Sequence, residues 1–176
     1  ANVEQIEVLK GPAAFLYGRL EPGGLINIVS KRPQALPYYS LQQQFGSYNQ
    51  FRTLADLTGP LIQDGSLTYR LNFEYFTSDS FRDFQFADRK FFAPSLIWHI
   101  SDKTSVDLDF LYQREASRPD PGLPVIGGRP EALPKNRWIG EPTDKFSTEY
   151  HATSVTLKHQ FTDAWKATGR FSYAKD

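Results

Sequence analysis

From Tyr38 onward, apolar and polar positions alternate with a period of two. Tyr39, Leu41 and Phe45 fall on one face against Ser40, Gln42 and Gln44. Phe51, Thr53, Ala55 and Leu57 follow, against Arg52, Asp56 and Thr58, with Leu54 breaking the pattern. The cleanest run is Leu67, Tyr69, Leu71, Phe73 and Tyr75 against Thr68, Arg70, Asn72 and Glu74. Phe92, Pro94, Leu96, Trp98 and Ile100 form a fourth run, and Val106, Leu108, Phe110 and Tyr112 a fifth. Val155, Leu157 and Phe161, then Ala167, Gly169, Phe171 and Tyr173, complete the set. Side chains alternate faces along a strand, so this pattern predicts about seven half-polar strands of about ten residues each. Pro94 donates no ladder hydrogen bond, so a bulge is expected there.

The connections sort by length. Pro60–Gly65, with its Asp64-Gly65 pair, Ser101–Lys103 and Thr162–Ala164 read as short turns. Ser78–Asp88 and the Pro- and Gly-rich Ala116–Ser147 read as long loops. Strands of about ten residues, with short turns at one rim and long loops at the other, suit a membrane-spanning barrel. The Ser47–Gln50 connection is short where the barrel pattern calls for a long one. Arg70, Glu74, Asp107, Asp109, Lys158 and Arg170 all fall on the polar face, where a wet or filled lumen would receive them. Tyr39, Trp98, Tyr112, Trp165 and Tyr173 lie on the apolar face near strand ends, as an interfacial girdle requires. A soluble sandwich with one wet face is the competing architecture.

Composition changes the picture little. The chain has 176 residues, 15% of them aromatic, no cysteine and no formal net charge. No disulfide or thiolate metal site is therefore available, and nothing points to a nucleic-acid partner. The negative mean hydropathy is compatible with a barrel, where only every second residue needs to be apolar. His99, His151 and His159 form no metal constellation; the last two lie about 26 Å apart along one strand at ~3.3 Å per residue. No nucleophile–base arrangement stands out, so no catalytic residue is assigned. Gly18 and Gly23 match the outer spacing of a phosphate loop, but no Gly-Lys-Ser/Thr follows.

The first stretch, Val3–Pro33, has a different grammar. Ile6 and Val8 alternate with Glu7 and Leu9 before Gly11-Pro12 breaks the run. Ala13–Tyr17 is long enough for about one helical turn, which Gly18 would stop. Pro22-Gly23-Gly24 is turn chemistry, and Leu25–Val29 reads as a buried strand ended by Lys31-Arg32-Pro33.

In order, Lys10-Gly11-Pro12, Leu16-Tyr17-Gly18, Pro22-Gly23-Gly24, Ile26-Asn27-Ile28 and Ser30-Lys31-Arg32-Pro33 closely resemble the C-terminal half of the plug domain of TonB-dependent outer-membrane receptors. Two departures are Ala14-Phe15, where Ser or Thr is common, and Lys10, where Arg is more usual. Leu57-Thr58-Gly59-Pro60-Leu61, Ser66–Asn72 and Gly122-Leu123-Pro124 are similar to siderophore receptors of the ferrichrome and pyoverdine type.

The resemblance implies an all-β-dominated fold: a partial transmembrane antiparallel β-barrel, about seven strands of a probable 22, with the C-terminal half of a mixed α/β plug. Residues 1–36 would be plug and 37–176 barrel wall, and the chain reads as a piece of a longer receptor. It implies TonB-dependent uptake of a ferric siderophore at the Gram-negative outer membrane, with the TonB–ExbB–ExbD complex and outer-membrane lipid as partners and no covalent or ligated cofactor. A haem or cobalamin receptor, or a passive porin or structural barrel, are the alternatives. Lys10, Gly11, Pro12, Tyr17, Gly18, Pro22, Gly23, Gly24, Asn27, Lys31 and Arg32 would be the plug motif, with Lys10 and Arg32 pairing to acids on the wall. Phe84, Phe86, Arg118, Arg129, Arg137 and Trp138, in the two long loops, are the candidate contacts to an aryl-bearing or anionic chelate.

Overall fold

The computed structural model describes residues 1–10, 24–124, 127, 128 and 133–176. Two sheets carry the described chain. The smaller is an antiparallel pair, β1 (Val3–Lys10) with β2 (Gly24–Ser30), in which Glu7 faces Asn27 and Lys10 faces Gly24. Gly24 opens β2 at φ 140°, and a Cβ there would stand 2.6 Å from the Leu9 carbonyl oxygen, so only glycine fits. The expected helical turn at Ala13–Tyr17 lies outside the described residues.

The larger sheet has seven strands, each paired antiparallel with its neighbours in the chain: β3 (Tyr38–Gly46), β4 (Gln50–Pro60), β5 (Leu67–Asp79), β6 (Phe86–Ser101), β7 (Thr104–Ser117), β8 (Phe146–Gln160) and β9 (Lys166–Lys175). Asp64 closes the β4–β5 turn by accepting from the Ser66 amide at 2.8 Å, which holds its carboxyl below the usual range, and Gly65 supplies the φ of 74°. The short β3–β4 connection turns on Tyr48 and Asn49, at φ 59° and 55°. It is tied to the end of β5 by Asp79 N–H donating to Tyr48 O at 2.8 Å and by Asn49 Nδ2 donating to Asp79 Oδ2 at 2.7 Å.

Burial is inverted relative to a soluble sandwich. Along β5, Arg70, Asn72 and Glu74 are 5%, 2% and 3% exposed, while Phe73 between them is 37% exposed. Thr58, Asp107 and Thr156 are buried on the same polar face, and Trp98, Leu108, Leu157 and Phe171 stand open on the other. The polar side is covered by the β1–β2 hairpin and the segment that follows it; the apolar side is a continuous outer surface suited to lipid.

Three expectations change. The 78–88 loop shrinks to residues 80–85, since β5 runs to Asp79 and β6 begins at Phe86. Asp88, Arg89 and Lys90 hid that strand, because wall standing beyond the apolar band meets water and loses its alternation. The strands therefore reach 16 residues instead of about ten. Pro94 carries no bulge: the register on its β5 side is continuous, and on the β7 side it resumes in phase after unpaired Ala93 and Pro94. The irregularity falls instead between His99 and Ser101.

Candidate functional site

Two clusters combine charge, burial and long-range contact. The first is the seam between the segment leaving β2 and the polar face of the wall. Lys31 Nζ lies 2.7 Å from Asp56 Oδ2 on β4. Arg70 on β5 grips the same carboxylate with a fork, Nε to Oδ1 at 2.9 Å and Nη2 to Oδ2 at 2.8 Å. Its Nη1 donates to the Arg32 carbonyl at 3.0 Å, so one guanidinium binds both wall and hairpin exit. The next contact is made by backbone: Gln34 N–H donates to Thr58 Oγ1 at 2.9 Å, and that hydroxyl donates to Tyr69 O at 2.7 Å.

Across the sheet, Arg32 Nη1 lies 3.3 Å from Asp109 Oδ1 and 3.9 Å from Asp107 Oδ2. Lys158 Nζ holds Asp107 Oδ2 at 2.7 Å, and Ser154 Oγ donates to Asp109 Oδ2 at 3.2 Å. Lys31 and Arg32 thus spread the hairpin exit between β4–β5 on one side and β7 on the other. Of the two cations expected to pair with the wall, Arg32 does. For Lys10, no carboxylate oxygen lies within 4.0 Å of its nitrogen among the described residues. It ends β1 opposite Gly24, on the far end of the hairpin from the exit segment, where Lys31 holds a wall carboxylate. Asn27 works inside the hairpin, donating from Nδ2 to Glu7 Oε2 at 2.9 Å. Gly11, Pro12, Tyr17, Gly18, Pro22 and Gly23 lie outside the described residues.

The second cluster joins residues 80–85 to the long connection between β7 and β8. Arg82 Nε lies 3.2 Å from Asp120 Oδ2. Asp83 N–H donates to Asn136 O at 2.8 Å, and Asn136 Nδ2 returns a bond to Asp83 Oδ1 at 3.0 Å. Arg118 donates to the Phe84 carbonyl and stacks over Phe86 and Trp138, 5.1 and 5.9 Å from their ring centres. Trp138, only 5% exposed, packs 6.0 Å from Phe84 and donates Nε1–H to Pro119 O at 3.1 Å.

Four of the six candidate ligand contacts, Phe84, Phe86, Arg118 and Trp138, are therefore brought together, but as a small core tying two loops to each other. Trp138 presents no face to a ligand. Phe81 and Phe84 do stand exposed, and so does Arg137, which precedes Trp138 in the chain. Arg129 lies outside the described residues. Asp120 and Asn136, which latch the loops, carry no sequence signal, because their partners are distant in the chain. Among the described residues no three His, Asp or Glu side chains gather closely enough to hold a metal ion.

No protein-family model matches the chain. It is 37% identical over 166 residues to the metal-pseudopaline receptor CntO of Pseudomonas aeruginosa, covering 94% of this chain and 23% of that protein. It is 27% identical over 180 residues to the ferrichrome outer membrane transporter/phage receptor of Escherichia coli, covering 99% of this chain and 24% of that one. Its fold superposes on the crystal structure of the ferripyoverdine receptor of the outer membrane of Pseudomonas aeruginosa with a TM-score of 0.83 at 21% identity, over 99% of this chain and 24% of the other. The chain spans about a quarter of the length of the curated relatives it matches.

Proposed function

Because this chain belongs to the TonB-dependent outer-membrane receptors, as a stretch matching a quarter of their length, we propose that the whole protein takes up a ferric siderophore across the Gram-negative outer membrane. The observation that carries this reading is the β1–β2 hairpin held on the polar face of an inside-out sheet through Lys31, Arg32, Asp56 and Arg70. An open pore would leave that face to water. A receptor that admits its cargo only on demand needs it filled and needs the filling to be displaceable. Paired charges meet both needs, because they lock in place when dry and exchange for water when pulled apart.

In this reading residues 1–36 are plug and 37–176 are wall. The protein does no bond chemistry. The cargo is recognised at the long-loop rim, where exposed Phe81 and Phe84 offer aromatic faces and Arg137 a cation. Energy comes from the TonB–ExbB–ExbD complex. A haem or cobalamin receptor would share the seam and differ in the loops; the names of the relatives favour a metal chelate of the siderophore kind.

The test is complementation of a receptor-deleted strain with the full-length gene, followed by uptake of radiolabelled ferric siderophores. Uptake of at least one, abolished by a protonophore, is the expected result. Protonophore-resistant entry of small solutes would overturn the proposal in favour of a passive pore.

A further inference from the structure

One row of the sheet's polar face runs through four neighbouring strands. Arg52 on β4 stands opposite Phe76 on β5, Phe76 opposite Arg89 on β6, and Arg89 opposite Glu115 on β7. From Asp56 back to Arg52 is about 13 Å along β4, toward the long loops, at ~3.3 Å per residue. The row therefore stands between the seam and the loop core, on the inner surface that cargo would pass. Arg52 is anchored there: its Nε and Nη2 reach Oε1 of buried Glu74 at 3.0 and 2.9 Å.

Arg89 is held more loosely. Its Nε donates to Glu115 Oε1 at 2.6 Å, an oxygen that Gln113 Nε2 also bonds at 3.1 Å. Among the described residues neither Nη of Arg89 makes a hydrogen bond, and Nη1 lies 3.8 Å from Glu74 Oε1. The guanidinium lies over Phe76, 6.0 Å from its ring centre, so the planar group has a platform. The Arg89 and Glu115 side chains are 44% and 42% exposed, and a pair so open to water adds little to stability. What the pair does provide is a guanidinium with most of its N–H groups unspent, covered by one displaceable carboxylate.

We propose that Arg89 selects cargo carrying carboxylates, and that Glu115 is a built-in stand-in for such a carboxylate. A planar fork takes both oxygens of a carboxylate at once. Cargo that offers its own carboxylate therefore displaces the single-oxygen contact of Glu115. Glu74 does not compete for the fork, because Arg52 holds it. Without cargo the row is closed by Glu115, and a neutral chelate has no group with which to open it. The inference rests on the uptake reading and deepens it by naming the substrate class, a carboxylate-bearing ferric chelate.

The test is equilibrium dialysis of the full-length receptor in detergent against radiolabelled ferric citrate, a small tricarboxylate chelate. Arg89→Gln is expected to weaken binding by about ten-fold or more, as loss of a charge-assisted contact does. Glu115→Gln is expected to tighten it about two- to five-fold, because the competitor it removes is a weak, exposed one. That gain should vanish when both substitutions are combined, since it acts only through Arg89. Asp102→Asn, which removes the same charge at the opposite rim, is expected to leave binding unchanged. A purely structural pair would give a loss in both single variants and no gain in either. Should Arg89→Gln fail to fold, Glu115→Gln still decides. No saturable binding by the unaltered receptor, no gain in Glu115→Gln, or an equal gain in Asp102→Asn would overturn the proposal. Protonophore-sensitive siderophore uptake with equal ferric citrate affinities in all variants overturns this inference alone. Affinities in the expected order without energised uptake of any siderophore overturn only the transport reading.

Discussion

Lys31 Nζ and Asp56 Oδ2 meet at 2.7 Å, on a carboxylate that Arg70 already holds from the wall side. The two cations are not equivalent. Arg70 is almost fully buried, while the Lys31 side chain is a quarter exposed. Asp56→Asn in the full-length receptor leaves Arg70 buried and unpaired, and is expected to cost about 3–5 kcal/mol. Lys31→Ala removes a wetter partner and is expected to cost about 1 kcal/mol or less. Denaturant unfolding of the two variants checks the order, and a larger loss for Lys31→Ala would refute the assignment of Asp56 as primarily an Arg70 partner.

Thr58 is fully buried and links the exit segment to the wall by one hydroxyl. Thr58→Val keeps the shape and orphans the Gln34 amide, at an expected cost of about 1–3 kcal/mol. Amide exchange at Gln34 should accelerate while exchange in β5 stays slow. Unchanged protection at Gln34 would contradict the bond.

Trp138 is the centre of the loop core, and a side chain at Gly140 would run into its indole ring. Trp138→Ala is expected to remove about 3–5 kcal/mol of packing, loosening the loops without unfolding the wall. Limited proteolysis of the full-length receptor should then cut within residues 118–145 much faster. Gly140→Ala should act in the same direction. Equal cleavage rates in wild type and both variants would dismiss the core.

Leu71 sits mid-strand on the outer face, and Leu54 sits on the polar face across from Glu74. Leu71→Arg is expected to destabilise the membrane-embedded receptor by about 2–4 kcal/mol. Leu54→Arg is expected to cost less, since it meets a carboxylate. Refolding titrations into bilayers measure both, and the reverse order would invert the sidedness.

The wall was legible because lipid and lumen impose opposite demands on successive residues. Leu67 to Tyr75 could hardly be read otherwise, and its buried Arg70 and Glu74 lie where the alternation puts them. Legibility failed where that contrast fades. Phe86 to Asp88 is strand without an apolar–polar alternation, so it read as loop. At the seam, the motif drew attention to Lys10 and Arg32 as wall partners and left out Lys31, which holds Asp56. Proximity across 25 residues to Asp56, or across 77 to Asp109, leaves no mark in a single sequence. The same holds for Asn136 and Asp83, and for Trp138, whose burial turned a candidate ligand contact into packing.

Every neighbouring pair of wall strands is joined through at most six residues except β7 and β8, which are separated by residues 118–145. Compared with the β3–β4 connection that is about three doublings of length, each adding ~0.6 kcal/mol of closure entropy, or about 2 kcal/mol in all. The wall can zip hairpin by hairpin until it reaches that gap, so β8 docking is the step expected to limit its assembly. Trp138 shortens the gap. Its bond to Pro119 O brings Trp138 back to the end of β7, so that only residues 139–145 remain to be spanned. The indole thereby becomes an assembly catalyst of a sort, and its loss should lengthen the lag before the folded receptor appears in the bilayer.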